Sequence, residues 1–350
     1  MRRCGIGGSN RFMYIQDKLL SICITSYNRV NELKRCIESI RTKYPIDIEI
    51  VISEDHSEQR EIIRSLIEEL KKETTIELRF YSNNVNLGYD MNLYQLIALA
   101  KGKYILFLSD DDSLVENSLD KYIEILKSDE YNLIFTPFIE GTVIKRYYRS
   151  DFPIIKGVES INQFVYDSIL FSGLTFRREN IANIEANRFL NCNYFQVYLF
   201  MYSMLLYNSN YFNIPMIQCN GDGENAFGKA TSSIGNDLLA DRKSIYSNLE
   251  FHKGLIKVIE IFEKDFSIEI KKSFGKEYSL RAFSGMAFAR KQSISTYIRY
   301  WKKLINLDIS FSSILYLYHF LLLIFGYQIS SLLINIPKKI LVNYRSKCCE

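Results

Sequence analysis

The chain predicts an α/β fold: a mostly parallel sheet with flanking helices, followed by a helical C-terminal region. Two observations predict the sheet. From Leu19 onward, short apolar runs alternate with stretches whose apolar residues recur at helical spacing. Each of those runs also ends in a polar cluster. A third observation predicts the helical region: in the C-terminal third, "SNLEFHKGLIKVIEIFEKDF" and "YSLRAFSGMAFARKQ" read as amphipathic helices.

The elements read in order. "LLSICITSY" (19–27) is a continuous apolar strand, and "VNELKRCIESI" places Leu33, Cys36, Ile37 and Ile40 on one helical face. "IDIEIVISED" (46–55) is the second strand. Asp55 with Glu58 three residues on reads as the cap of a helix whose stripe is Ile62, Ile63, Leu66, Ile67 and Leu70. "IELRFYSN" (76–83) is the third strand, Leu93, Leu96, Ile97 and Ala100 mark the third helix, and "KYILFLS" (103–109) is the fourth strand. "NLIFTPFI" (132–139) and the apolar stretch from Tyr211 to Ile217 read as later strands. Strands this apolar are covered on both faces, as in parallel sheets.

Composition limits the function. The chain has 350 residues, 47% hydrophobic and 24% charged, enough to bury a full core. A formal net charge of +4 without a long Lys/Arg block predicts no nucleic-acid partner. Seven cysteines without a C-x-x-C pair signal neither a disulfide framework nor a zinc site and fit a reducing compartment. The N-terminal stretch lacks the apolar region of a secretory signal, which predicts a cytoplasmic location. "GIGGSN" (5–10) precedes the first strand, so it reads as part of a flexible leader, not a dinucleotide-binding turn.

In parallel sheets ligands bind outside the carboxyl ends of the strands. Four polar clusters fall on that rim: "TSYNR" (25–29), "SEDHS" (53–57), "NNVNLG" (83–88) and "SDDD" (109–112). Taken singly, each reads as a solvated turn or helix cap. Together they set several carboxylates at strand ends, where they either shift their pKa values or hold a hard cation; oxygen ligands suit Mg²⁺ or Mn²⁺. Such an ion would bind a diphosphate.

The order "SICITSYNR", "EDHS", "NVNLGYDMN", "AKGKYILFLSDDD" resembles the family 2 glycosyltransferases of the GT-A fold, most of all the abequosyltransferase-type branch, over roughly residues 19–127. The resemblance implies that Thr25, Tyr27 and Arg29 contact the nucleotide and that Asp55 accepts a hydrogen bond from the base. Asn86 and Gly88 match its N-x-G element, and Asp110, Asp111 and Asp112 cover its D-x-D signature, with Asp111 or Asp112 as the direct Mn²⁺ or Mg²⁺ ligand. His56 stands where the family has glycine, so a left-handed backbone there would be strained unless the turn has changed.

The implied function is transfer of a sugar from a nucleotide-diphosphate donor, taken as a UDP-sugar, to a glycan or lipid-linked acceptor in cell-surface polysaccharide synthesis. The implied mechanism is metal-dependent and inverting. Single displacement needs a carboxylate base, often supplied in the family by an acidic helix start, yet "NCNYFQVYLFMYSML" (191–205) has no acid. Asp222 and Glu224 of "CNGDGENAFG" (219–228) are the catalytic candidates, with an ordinary turn as the other reading of that loop. Without a base, the chain would be a non-catalytic nucleotide-sugar-binding or scaffold relative. A nicotinamide oxidoreductase is disfavoured by the missing glycine fingerprint.

The expected organisation is a leader at 1–17, a GT-A domain at 18–230, a helical region at 231–305 and an apolar segment at 306–345. Residues 309–336 contain no Asp, Glu, Lys or Arg and are followed by Lys338 and Lys339. That run predicts membrane contact at the inner face of the cell membrane. A span, an interfacial hairpin and a buried helix all fit it.

Overall fold

Burial along the first strand alternates between two cores. Leu20, Ile22 and Ile24 point into one apolar cluster while Cys23 points into the other, so the sheet is covered on both faces. The computed structural model describes residues 18–221 and 247–345, and all that follows concerns these residues.

The first half alternates strand and helix: β1 (Lys18–Ser26), α1 (Val30–Glu38), β2 (Ile48–Glu54), α2 (Arg60–Glu73), β3 (Glu77–Ser82), α3 (Tyr89–Leu99) and β4 (Gly102–Ser109). Then come β5 (Asp112–Leu114), α4 (Ser118–Ser128), β6 (Leu133–Phe135), β7 (Phe138–Glu140), β8 (Val143–Lys145), β9 (Phe152–Ile154), α5 (Val158–Phe164), β10 (Leu174–Arg177) and α6 (Arg178–Ile181). After α7 (Phe195–Leu206), β11 (Ser209–Tyr211) and β12 (Ile217–Cys219), only helices follow. They are α8 (Ser247–Phe266), α9 (Lys271–Arg281), α10 (Phe283–Gln292), α11 (Ile294–Ile305) and α12 (Ser313–Arg345).

Among the described residues the main sheet runs β3-β2-β1-β4-β10-β6-β11-β9, and a smaller one runs β5-β12-β7-β8. The first four strands are parallel, with Thr25 opposite Ser53 and Ser109, so their carboxyl ends lie level. Strand β10 returns antiparallel between β4 and β6. Helices α1, α2 and α4 pack on the Leu20 face, and α3 and α7 on the Cys23 face together with the C-terminal helices.

Three expectations need correction. "NLIFTPFI" is not one strand: β6 belongs to the main sheet and β7 to the small one, broken at Thr136-Pro137, since proline cannot donate to a ladder. The stretch from Tyr211 to Ile217 divides likewise between β11 and β12. Nor does Asp55 cap α2, whose N-cap is Gln59. The Asp55 carboxylate turns to the loop after β3 instead, where three donors await it.

Helix α12 is interrupted at Gly326, whose φ of 69° and ψ of −172° are non-helical. The break frees carbonyls of the preceding turn, and Arg290 Nε donates to Leu322 O at 2.9 Å. Leu315, Tyr318 and Leu322 are buried against the other helices, whereas Phe320, Ile324, Ile329 and Leu332 are each at least half exposed.

Candidate functional site

The four predicted clusters do meet on one rim. Asp110 Oδ1 accepts from Arg29 Nη1 at 2.6 Å and its Oδ2 from Tyr27 N at 3.3 Å, which joins the ends of β1 and β4. Arg29 also lies 3.2 Å from Asp111 Oδ2, so one guanidinium serves two carboxylates. Ser109 Oγ donates to Asp111 Oδ1 at 2.5 Å, and Arg35 Nη2 and Asn220 Nδ2 donate to the Asp111 carbonyl.

Asp112 belongs to the small sheet. It starts β5, pairs with Cys219 across the small sheet, and accepts from Ser172 Oγ at 2.6 Å. Burial pushes the Asp110 pKa up to about 7 against the pull of Arg29, and raises Asp112 to about 6 against hydrogen bonds from Ser172 and Cys219. Burial also opposes the Arg29 charge, but Asp110 and Asp111 outweigh it and its pKa rises. The rim therefore sets two consecutive acids, Asp110 and Asp111, on the Arg29 cation, with Asp112 held beside them by Ser172.

At the end of β2, Asp55 is buried and accepts from Asn83 Nδ2 at 2.9 Å, Leu87 N at 2.7 Å and Gly88 N at 2.9 Å. Asn86 Oδ1 also accepts from Gly88 N, an Asx turn that opens α3. Gly88 has φ 76° and ψ 166°, a region that only glycine adopts without strain. Asp55 therefore shapes the N-x-G turn, and burial raises its pKa despite these donors. His56 has kept the left-handed turn, with φ 56°; Glu54 accepts from His56 N and Ser57 N, and Asn83 O lies 3.1 Å from His56 Nδ1.

The segment after this turn reaches the helix that lacks an acid. Tyr89 Oη donates to Gln196 Oε1 at 3.0 Å, and Gln196 Nε2 donates to Ile169 O. Asp90 accepts from Asn193 N at 2.9 Å and Phe195 N at 3.0 Å, so an acid of α3 caps the start of α7. Burial still pushes the Asp90 pKa up to about 6.

A family model, glycosyl transferase family 2, matches residues 21–201, more than half of the chain. The chain belongs to glycosyl transferase family 2. Similar proteins include the abequosyltransferase RfbV of Salmonella typhimurium, 34% identical over 29% of this chain and 30% of the relative. A GalNAc(5)-diNAcBac-PP-undecaprenol beta-1,3-glucosyltransferase of Campylobacter jejuni is 29% identical over 49% of this chain and 54% of its own length. The chain thus spans no more than about half of those two relatives. S. aureus TarS 1-349 in complex with UDP-GlcNAc matches in fold with a TM-score of 0.52 at 14% identity, covering 82% of this chain and 79% of that one. The fold is GT-A, followed by the helical region.

Of the residues named from sequence, Tyr27, Arg29, Asp110 and Asp111 form one network, and Asp55, Asn86 and Gly88 a second. Thr25 lies level with Ser109 at the end of β1. Asp222 and Glu224 lie outside the described residues. Sequence reasoning assigned no role to Asn83, Ser172, Asn220 or Asp90; Asn83 and Asp90 flank the N-x-G element and were legible by position, whereas Ser172 and Asn220 arrive through long-range pairing.

Among the described residues no three His, Cys, Asp or Glu side chains converge on one metal position. The donors present nonetheless fit a hard cation of the Mg²⁺ type, which keeps few protein ligands and takes the rest from phosphate and water. Asp111, the most accessible of the three acids, has an oxygen-only setting, and Arg29 offsets only part of the local negative charge.

Proposed function

We propose that the chain is an inverting glycosyltransferase that moves a sugar from a nucleotide-diphosphate donor, in first place a UDP-sugar, to a glycan or lipid-linked acceptor. The observation that carries this reading is the rim itself: the Arg29–Asp110–Asp111 network beside a Gly88 turn fastened by Asp55. TarS, alike in fold, was crystallised in complex with UDP-GlcNAc, which supports the donor class. The Campylobacter relative's name, with its PP-undecaprenol-linked substrate, supports a lipid-linked acceptor.

In this reading Thr25, Tyr27 and Arg29 line the nucleotide side, and Asp55, with one lone-pair position still open beyond its three donors, reads the base while fixing the turn. Asp110 orients Arg29. Asp111 and Asp112 would hold Mn²⁺ or Mg²⁺, which supplies electrostatic stabilisation of the leaving diphosphate. The buried amide of Gln196 is engaged by Tyr89 and Ile169 and supplies no base. Asp222 or Glu224 takes the acceptor proton.

The apolar segment contacts the membrane in this reading, and Gly326 divides it into two helical pieces. Residues 313–325 form a helix about 20 Å long at ~1.5 Å per residue, and the apolar part beyond the break is shorter still. Neither half crosses a ~30 Å hydrocarbon core. In this reading an in-plane helix turns Phe320, Ile324 and Ile329 toward the lipid at the cytoplasmic face; taken across the break, Ser313–Ile334 is long and apolar enough for a span as well.

The test is turnover and binding. Purified full-length protein with Mn²⁺ should bind UDP and release it from a UDP-sugar. No UDP binding with either Mn²⁺ or Mg²⁺, tested alongside other nucleoside diphosphates, would overturn the donor assignment.

A further inference from the structure

A cavity of about 460 Å³ lies apart from the acidic rim, between the loops that follow the second sheet and the C-terminal helices. Its walls come from both halves of the chain: Arg146, Tyr166, Asp167 and Tyr194 on one side, Tyr278 and Arg281 on the other. Polarity here is the reverse of the rim. Lys145, Arg146 and Arg281 face one acid, Asp167, whose carboxylate already accepts from Tyr148 Oη at 2.5 Å.

Arg146 is the unusual member. Its side chain is buried, with 8% of the residue exposed, and it donates only to carbonyls: Nη1 to Thr136 O and Ser172 O at 3.3 Å, Nη2 to Leu170 O at 2.5 Å. Its Nε has no hydrogen-bond partner, and no carboxylate of the described residues lies within ion-pair distance. Burial lowers its pKa to about 10, with Asp167 opposing. Lys145 and Arg281 differ, for each has an outward acid, Glu140 at 3.5 Å and Glu277 at 2.7 Å. A buried guanidinium whose nearest counter-charge, Asp167, stays beyond ion-pair distance is a costly arrangement that a bound anion relieves. The Tyr166 hydroxyl on the same wall is likewise buried and unpartnered. The Tyr166 ring is already covered by Phe274 at 4.9 Å and by the Arg281 guanidinium at 4.8 Å, and Tyr278 and Tyr300 are buried, so these tyrosines offer a ligand polar edges, with the partly buried Tyr194 beside them.

The cavity is joined to the rim by one residue. Ser172 accepts through its carbonyl from Arg146 and donates through its hydroxyl to Asp112. Tyr194, at the start of α7, lines the cavity next to Gln196.

We propose that this cavity binds a phosphorylated sugar, with the phosphate at Arg146, Lys145 and Arg281 and the sugar hydroxyls toward the polar edges of the tyrosines, and that it is where the acceptor is held. The acceptor role rests on the glycosyltransferase reading; the binding does not. The group comes either from a free sugar phosphate or from a lipid-linked one, and both present the same phosphate and ring.

Titration calorimetry of the full chain in detergent tests it with three probes: glucose 1-phosphate, glucose and inorganic phosphate. Saturable binding of glucose 1-phosphate is expected, at least tenfold tighter than glucose. Lys145→Glu and Arg281→Glu, both partly exposed and so safe for folding, should each weaken it about tenfold, and Arg146→Gln more where it folds. Saturating UDP with Mn²⁺ should leave it in place. Displacement by UDP would put the phosphate on the rim instead and overturn the proposal, as would no saturable binding, or unchanged affinity in both charge reversals. Vesicles carrying a polyprenyl-phosphate sugar form the second arm: tighter binding to these than to glucose 1-phosphate identifies the lipid-linked source, and equal affinity the free one. Failure of UDP binding alone would leave the cavity's result standing and remove only its acceptor role.

Discussion

The acidic rim and the basic cavity have opposite electrostatics and were built in opposite ways. On the rim, each buried acid is met by donors from a neighbouring strand end, as Asp110 is by Arg29 and Tyr27, and Asp55 by the Asn83–Gly88 loop. In the cavity, Arg146 is left with carbonyls alone, and the walls come from segments more than a hundred residues apart. A strand-end site is organised by local turns on a level sheet, so a short motif encodes it. A cavity between two halves of a chain has no such motif.

The largest effect should come from the rim. Asp111→Asn with Asp112→Asn should abolish metal-dependent UDP binding and lower turnover at least about 10²-fold, the scale expected for lost electrostatic stabilisation. Intact far-UV dichroism with unchanged UDP affinity would remove both from the metal assignment. Changing Asp222 and Glu224 to their amides comes next: the one that is the base should lose about 10²- to 10⁴-fold in rate with donor affinity kept. Equal parent-like rates in both would move the base to the cavity, where Asp167→Asn is the variant to assay.

Asp55→Ala should weaken both uridine and UDP binding and cost about 1–3 kcal/mol in denaturant unfolding, since buried donors from Asn83, Leu87 and Gly88 are left unmet. If only UDP binding falls, Asp55 shapes the turn without touching the base.

Asp90 gives a smaller, pH-dependent effect. Its folded pKa of about 6 lies above that of an unfolded carboxylate, so between about pH 4 and pH 6 the folded state holds the extra proton. Its contribution to stability is present below about pH 4 and lost as the pH rises through about 6. Asp90→Asn should flatten that part of the stability–pH curve. An unchanged slope in urea melts would place the titration elsewhere.

The smallest intrinsic effect belongs to the outward face of α12. Ile324→Glu should abolish flotation with anionic vesicles while UDP affinity stays the same. A parent protein that never floats would return this face to contact with protein.

The parallel half of the fold and most of the rim were legible because β1 to β4 follow one another with short connections, so period and polar strand ends suffice. The stripes Leu33-Cys36-Ile37-Ile40 and Leu93-Leu96-Ile97-Ala100 are buried as their spacing requires, whereas Ile62 of the α2 stripe is exposed. Asp55 misled because an acid before a helix reads as a cap, and nothing local says that its donors sit after the next strand. The order of β10, β6, β11 and β9 was not legible, for strands this short, paired with partners remote in the chain, carry no periodicity to read. Arg146 gave no signal, since one of three basic residues in "VIKRYYR" looks like surface.

Tyr89 and Asp90 follow Gly88 directly and grip Gln196 and the first amides of α7, the helix whose start also presents Tyr194 to the cavity. The Gly88 turn and the cavity wall are therefore two ends of one short lever. In the proposed reading a nucleotide that stiffens the turn would also steady the wall, and reciprocity would have a ligand in the cavity tighten the nucleotide by the same factor. Such coupling would favour holding both substrates together over splitting the donor while the cavity stands open to water.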